Sequence, residues 1–557
     1  MSDVPIATAE RTLKVSRGGT PLVTLISVFL LGLWLRLDQF LMQVLTDDEW
    51  HALHQAIFNT PRQFLLSFGT ADYSIPLTLL YWCEAQWFGL SELAMRWPMM
   101  AAGVAVLVLF PLWAYRHIGW RTALVFAALL AVSPMLIYYS RNARPYGLTI
   151  FLGYLAHFLF WRYWLNERRR ALAATGYAVC ASFSVWLHLL TLPFVAAPFL
   201  LVAIDFLRPG ARRRESFRKL LGVGLPAAAL TLVMVLPPML ADPAALTGKS
   251  GADLPTLDTW IGLGHLWLGT PLVPSVVASL LLGVFGLPGI WNAGPLPKGA
   301  LLGVAITLIL IYIAQPAWIH NPLTLGRYLL PGIVLLLLAV AAGAARASVA
   351  VGSSLGNVAA IVVLLLPVAV LLPKTPLSQT MTRPNSYSLH SMYQFDYRED
   401  RAAIRDKMAT TIPLSPWWRT LADSPAETMT IAVAPYSYFS PRWDAPRWEA
   451  LSHRRVIPGF VTGLCAERRD GETPRDGRFA LRNAVHLVDS NDLRRKNVEF
   501  VVFQKPYQVA GPEGPISIGQ ETANCLPALA AQFGKAIFED DKISVFRPHL
   551  AAAHDQQ

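Results

Sequence analysis

Three consecutive carboxylates, Asp47, Asp48 and Glu49, follow directly on the first long apolar stretch of the chain, in the run Thr46-Asp47-Asp48-Glu49-Trp50-His51-Ala52-Leu53-His54. A positioned carboxylate can accept the proton of an attacking hydroxyl. If the run is helical, Asp47, His51 and His54 fall at i, i+4 and i+7 on one face. That spacing suits a divalent metal or a hydrogen-bonded acid/base cluster, and His265, farther along, completes a candidate metal set with His51 and His54. A solvated acidic cap at a membrane boundary is the plainer reading of the same residues.

Two further runs carry cations beside aromatic rings. The first, Tyr138-Tyr139-Ser140-Arg141-Asn142-Ala143-Arg144-Pro145-Tyr146, holds two arginines between apolar stretches. Charge is costly there unless it is solvated or paired. The second, from His320 to Pro331, contains Gly326-Arg327-Tyr328. A guanidinium offers a permanently charged, bidentate fork suited to phosphate, so Arg141, Arg144 and Arg327, with Tyr146 and Tyr328, are candidates for holding one. A clamp on a lipid headgroup rests on the same physics. His188 lies in a position to join this face.

The elements that must position these groups are membrane helices. The 557 residues are 54% hydrophobic and only 15% charged, against roughly 25% charged in an ordinary soluble domain. Apolar stretches of spanning length run approximately over 21–42, 95–115, 121–139, 145–165, 171–187, 190–207, 219–240, 272–291, 299–315, 323–345 and 355–373. That predicts about eleven transmembrane helices. The net charge of +11 reports topology rather than nucleic-acid binding, because the basic residues cluster in short loops between these stretches. With Arg11, Lys14 and Arg17 in the cytoplasm, the clusters at 168–170 and 208–219 also fall inside, provided that residues 75–90 do not span. That segment, with Glu84 and Gln86 in its middle, is expected to lie as an amphipathic helix at the outer interface.

The long first outer loop, 43–94, and the two cationic runs then share the extracytoplasmic face. Beyond about Pro373 the composition turns polar, with β-type runs at 430–434, 498–503 and 543–546 and a helical piece at 526–533. These predict a small extracytoplasmic α/β domain over 376–557, behind a transmembrane domain over 1–375. There Cys465 and Cys525 can pair in an oxidising compartment or stay as two thiols.

The order of these motifs resembles bacterial membrane glycosyltransferases of the GT-C superfamily, in the family 39 group with protein O-mannosyltransferases and lipid A aminoarabinose transferases. The carboxylate pair in the first outer loop, the run ending at Arg96, the hairpin Ala143-Arg144-Pro145-Tyr146 and the pair Arg327-Tyr328 carry the resemblance. It implies a sugar donor on a polyprenyl phosphate in the membrane, which accounts for the lack of a nucleotide-binding Gly-rich loop. It implies Asp48 as the base, with Asp47 the substitute at one residue's shift, and Glu49 orienting the acceptor or supporting a divalent metal. Arg144, Arg141 and Arg327 would stabilise the departing phosphate. The acceptor is a lipid, a glycan or a protein hydroxyl, and the location a bacterial inner membrane. An oligosaccharide ligase or polymerase is the nearest rival. A transporter or flippase, which would show matching halves and midplane polar groups, is a rival of a different class.

Overall fold

A computed structural model describes residues 20–371 apart from 39, 46, 166–169, 207–212, 249, 252 and 271, and residues 414–548 apart from 423–428, 437–444, 467–472, 512–513 and 519–524. The basic N-terminal residues, much of the clusters at 168–170 and 208–219, Thr46, the Asp47 side chain and the expected domain boundary at 375/376 lie outside the described residues.

Among the described residues the eleven apolar stretches are mainly helical, and those over 121–139 and 323–345 are broken at proline. In chain order, the described helices that frame the site and the bundle are α1 (Thr20–Leu37), α2 (Asp47–Phe58), α3 (Ile75–Trp87), α4 (Glu92–His117), α5 (Trp120–Val132), α6 (Pro134–Arg141), α7 (Tyr146–Leu165), α8 (Arg170–Leu187), α9 (Leu192–Phe206), α10 (Arg213–Ala241), α11 (Leu257–Leu268), α12 (Val273–Trp291), α13 (Pro295–Ala314), α14 (Pro322–Tyr328), α15 (Pro331–Leu355) and α16 (Asn357–Leu371). Among the described residues, 6 helices are long and apolar enough to cross a membrane one by one, or 7 if the bent pair α5–α6 counts as one span. The protein is therefore a multi-pass, mainly helical membrane protein. α3, at 13 residues, is not one of those helices, and exposed Trp87 and Phe88 stand at its end, the kind of aromatic pair that favours a membrane–water boundary.

The interruptions are made by proline. Pro134 has no N–H to continue α5 and disfavours a helical Ser133, so α6 leaves at 56°. Pro331 likewise starts α15 afresh after α14, splitting the stretch that composition alone reads as one. A broken helix leaves its last carbonyls without partners. Here two arginines cap helix ends reciprocally, Arg36 at the break after α5 and Arg141 at the end of α1. Arg36 of α1 donates to the carbonyls of Leu130 and Ala131 at 3.1 and 3.3 Å, and Arg141 of α6 donates to those of Asp38 and Arg36 at 2.7 and 3.2 Å. α4 crosses α6 so closely that a Cβ on Gly103 would run into Ser140.

The C-terminal domain is built on a six-stranded sheet in the order β3-β2-β1-β4-β8-β7. Its strands are β1 (Thr430–Ala434), β2 (Arg455–Phe460), β3 (Val485–His486), β4 (Val498–Gln504), β7 (Phe538–Glu539) and β8 (Ile543–Phe546), with β5 (Tyr507–Gly511) and β6 (Gly514–Ile518) forming a separate hairpin. β1 pairs in parallel with β2 and β4, while β8 returns antiparallel. Cys465 and Cys525 form a disulfide with Cα atoms 5.0 Å apart. One apolar cluster fills the helical bundle. A second runs from α2 and α3 into the sheet, with Trp50 packed on Tyr436 and Phe460 at ring distances of 5.1 and 5.9 Å. Glu92 fastens this junction from α4 by accepting from the backbone N–H groups of Arg482 and Asn483.

Candidate active site

The acidic run heads α2, where negative charge complements the helix dipole. Its members part at once. Glu49 turns inward and is fully buried, taking both forks of Arg96 at 2.6 and 2.7 Å and the backbone N–H of Ala143 at 2.8 Å. Arg96 completes its donors on the carbonyls of Gln43 and Val44. Glu49 thereby ties three segments together: the loop entering α2, the start of α4 and the turn carrying Arg144. Asp48 turns the other way. Its side chain stays about a quarter exposed, and its Oδ2 accepts from Arg327 Nη1 at 3.1 Å.

Arg144 closes the other side. Its Nη1 pairs with Asp72 and donates to the Asp48 carbonyl at 3.3 Å. Asp72 and Tyr73 hold consecutive left-handed conformations, with φ of 46° and 61°, a costly backbone for residues with side chains. Arg327 lies between the rings of Tyr146 and Tyr328, 5.6 and 5.7 Å from their centroids, as cation–π packing requires. His188 packs tilted against both rings, its centroid 5.5 Å from each. Burial, and beyond it the charges of Arg327 and Arg144, push His188 down to about 3, so it stands here as a neutral ring.

Asp48, Arg144, Arg327, Tyr146 and Tyr328 thus converge on one patch from three distant segments. The Nε–H groups of Arg144 and Arg327 are both buried without a partner among the described residues. Two guanidiniums with donors to spare, on either side of a part-exposed carboxylate, form a site able to take an anion beside a base.

The remaining candidates lie elsewhere. Arg141 is fully buried, with Nε on Gln43 Oε1 at 3.1 Å and Nη1 on the carbonyls that end α1. His54 packs its ring on Phe58 in α2, and His265 is buried with Nδ1 2.6 Å from the Thr270 carbonyl. Among the described residues no three His, Cys, Asp or Glu groups come together as a metal would require. His51, His54 and His265 are accordingly not gathered into one centre, and the Asp47–His51–His54 face includes a side chain outside the described residues. Sequence reading passes over Asp72, an ordinary loop aspartate by its surroundings, and does not pair Arg96 with Glu49. The signal for the latter is a guanidinium at the mouth of an apolar span, which demands a counter-charge.

No protein-family model matches the chain, and no curated protein does so. Among solved structures, the chain is similar to ArnT from Cupriavidus metallidurans bound to undecaprenyl phosphate, at a TM-score of 0.40 and 12% identity over 96% of this chain and 99% of that one. It is similar to the oligosaccharyltransferase AglB from Archaeoglobus fulgidus in complex with an inhibitory peptide and a dolichol-phosphate, at 0.41 and 12% over 90% and 74%. The arabinofuranosyltransferase AftD from Mycobacteria gives 0.41 and 16% over 95% of this chain and 42% of that one. These neighbours are GT-C superfamily glycosyltransferases. At such scores the likeness adds nothing to the chemistry of the site, which rests on its own geometry.

Proposed function

We propose that the protein is a glycosyltransferase that moves a sugar from a polyprenyl-phosphate carrier to an acceptor hydroxyl at the extracytoplasmic face of a bacterial inner membrane. The observation that carries this reading is the pair of spare guanidinium donors on Arg144 and Arg327, flanking the part-exposed carboxylate of Asp48.

In this reading the donor phosphate takes up the free Nε–H groups and draws Arg327 away from Asp48. The carboxylate is then released to face the acceptor. As the acceptor oxygen attacks the anomeric carbon, Asp48 receives its proton and the C–O bond to the carrier breaks. The electron pair of that bond leaves with the lipid phosphate, whose growing charge is met by Arg144 and Arg327. Attack opposite the phosphate inverts the anomeric centre. Glu49 holds Arg96 and the Arg144 turn in place, a positioning role, and Arg141 does the same for the end of α1.

The transmembrane part over 1–375 would carry catalysis, and the part over 376–557, packed on α2 through Trp50, would cover the acceptor side. The test is incubation of the purified chain in liposomes with a total extract of bacterial membranes, which supplies both the polyprenyl-phosphate sugar pool and hydroxyl-bearing lipid, glycan and protein acceptors, followed by mass spectrometry. Loss of a glycosylated carrier and gain of free polyprenyl phosphate, absent with Asp48→Asn, is the expected result. A pool left unchanged, or consumed equally by that variant, overturns the reading.

A further inference from the structure

The end of α4 opposite the Asp48 site carries a second arrangement of apolar surface and positive charge. Arg116 lies 20 residues beyond Arg96 in the same helix, about 30 Å along its axis. Beside it a cleft of about 210 Å³ opens between α4, α7 and α15, walled by Phe110, Trp113, Phe151, Tyr154, Phe158 and Leu335. A neighbouring hollow of about 250 Å³ shares Trp113, His117 and Phe158 with it and adds Arg162. A third, of about 720 Å³, shares His117 and is lined by Arg121 and Arg346.

Among the described residues no carboxylate lines any of the three. Arg121 and Arg346 lie over the rings of Trp120 and Phe285, at 5.6 and 4.9 Å, which fixes them to the bundle. Arg116 and Arg162 are exposed and make no ion pair or hydrogen bond to another described residue. Arg116 and Arg162 thus stand at the end of the aromatic-walled cleft and its neighbouring hollow, where the helices end, with Arg121 and Arg346 around the adjoining third hollow.

We infer that this groove is a binding site for an anionic phospholipid, with one acyl chain between α4, α7 and α15 and the phosphate held by Arg116 and Arg162. Two features point to that class of ligand. The groove is apolar along its length and cationic at one end, which is the profile of a lipid tail followed by an anionic head. Lipid tails are also as apolar as the groove itself, so the tail supplies packing and little preference. Selection therefore falls to the arginines. A zwitterionic head, which brings its own cation against theirs, is disfavoured.

The site is independent of the transfer reaction proposed above. It is tested by native mass spectrometry of the full chain, released from detergent with equimolar phosphatidylglycerol and phosphatidylcholine of the same chains. Preferential retention of phosphatidylglycerol, by about tenfold for two charge-assisted contacts, is expected. The double variant Arg116→Ala/Arg162→Ala should erase the preference. Leu112→Trp, at an exposed wall position of the cleft, should reduce retention while leaving the arginines intact. Equal retention of the two lipids by the parent chain, or an undiminished preference in the double arginine variant, overturns the proposal. So does retention of added undecaprenyl phosphate at the expense of phosphatidylglycerol through the same arginines.

Discussion

Arg327 Nη1 stands 3.1 Å from Asp48 Oδ2, although 279 residues separate them. Each is part-exposed, with 17% and 26% of the side chain accessible. The bond therefore opens without stranding a charge in a dry interior, in contrast to the fully buried pair of Glu49 and Arg96 one residue away. Neighbouring carboxylates in one helix turn are thus suited to different tasks, one fixed and one free to exchange partners.

Arg144→Ala is expected to weaken use of the lipid-phosphate donor by about ten- to a hundredfold, the worth of a charge-assisted hydrogen bond of roughly 1.5 to 3 kcal/mol. Arg62→Ala, at an exposed position between α2 and α3, should leave it unchanged. The measurement is initial rate against donor concentration at matched expression. Equal rates for both variants would remove Arg144 from the site.

Arg96→Met should destabilise the protein by about 3–5 kcal/mol, because it leaves the Glu49 carboxylate buried without its counter-charge. Glu49→Gln alone should also destabilise. Combining it with Arg96→Met should cost less than the sum, since the double variant leaves no unpaired ion. Thermal unfolding in detergent, followed by tryptophan emission, reads the difference. Strict additivity would mean that the pair is not coupled in the folded protein.

The C-terminal sheet carries a pH-dependent weak point. Burial pushes His486 down to about 4, against the pull of Asp492 and with the push of Lys496. Its ordinary value is about 6.5. The unfolded state therefore binds the proton first as pH falls, and the stabilisation present above about 6.5 is lost progressively toward 4. Hydrogen exchange of β3 and β4, corrected for intrinsic rates, should show local opening more frequent at pH 5 than at pH 7. His486→Gln should flatten that dependence, and an unchanged profile in this variant would place the effect on other groups.

A cysteine introduced at Ser490, an exposed position at the start of the helix 490–495, should react with a membrane-impermeant maleimide in intact spheroplasts if the sheet domain is extracytoplasmic. Labelling only after permeabilisation would invert the topology, and with it the side on which the donor is used.

Hydropathy and charge made the helices and the sheet legible, since 430–434, 498–503 and 543–546 coincide with β1, β4 and β8. They also singled out Asp48, Arg144 and Arg327, because a charge beside an apolar stretch is conspicuous in one dimension. Partner choice was not legible. Nothing in the run Asp47-Asp48-Glu49 says which carboxylate turns inward, because that depends on Arg96 arriving from α4. Arg141 and Arg144 look alike in sequence, yet the bend at Pro134 carries one to the end of α1 and the other to Asp72. A six-stranded order with parallel neighbours is likewise set by crossovers that local patterns do not encode.

The sharpest expectation concerns Asp48 itself. Asp48→Asn keeps the shape and an oxygen to accept from Arg327, so the fold and the aromatic setting of Arg327 between Tyr146 and Tyr328 should persist. An amide cannot take the acceptor's proton, and transfer should fall by at least about 10²- to 10⁴-fold, the contribution of a positioned general base. Donor binding should survive or tighten, because Arg327 no longer faces a full negative charge and its donors turn more readily to phosphate. The pairing of lost turnover with retained donor binding separates a base from a merely structural acid, which would lose both. Asp47→Asn is the control for the neighbouring carboxylate, and should be mild if Asp48 is the base. Loss of transfer in Asp47→Asn with Asp48→Asn active would move the base by one residue. Parent rates in both variants and in the double would leave the acidic turn as a solvated helix cap and remove the chemical centre of the proposed reaction.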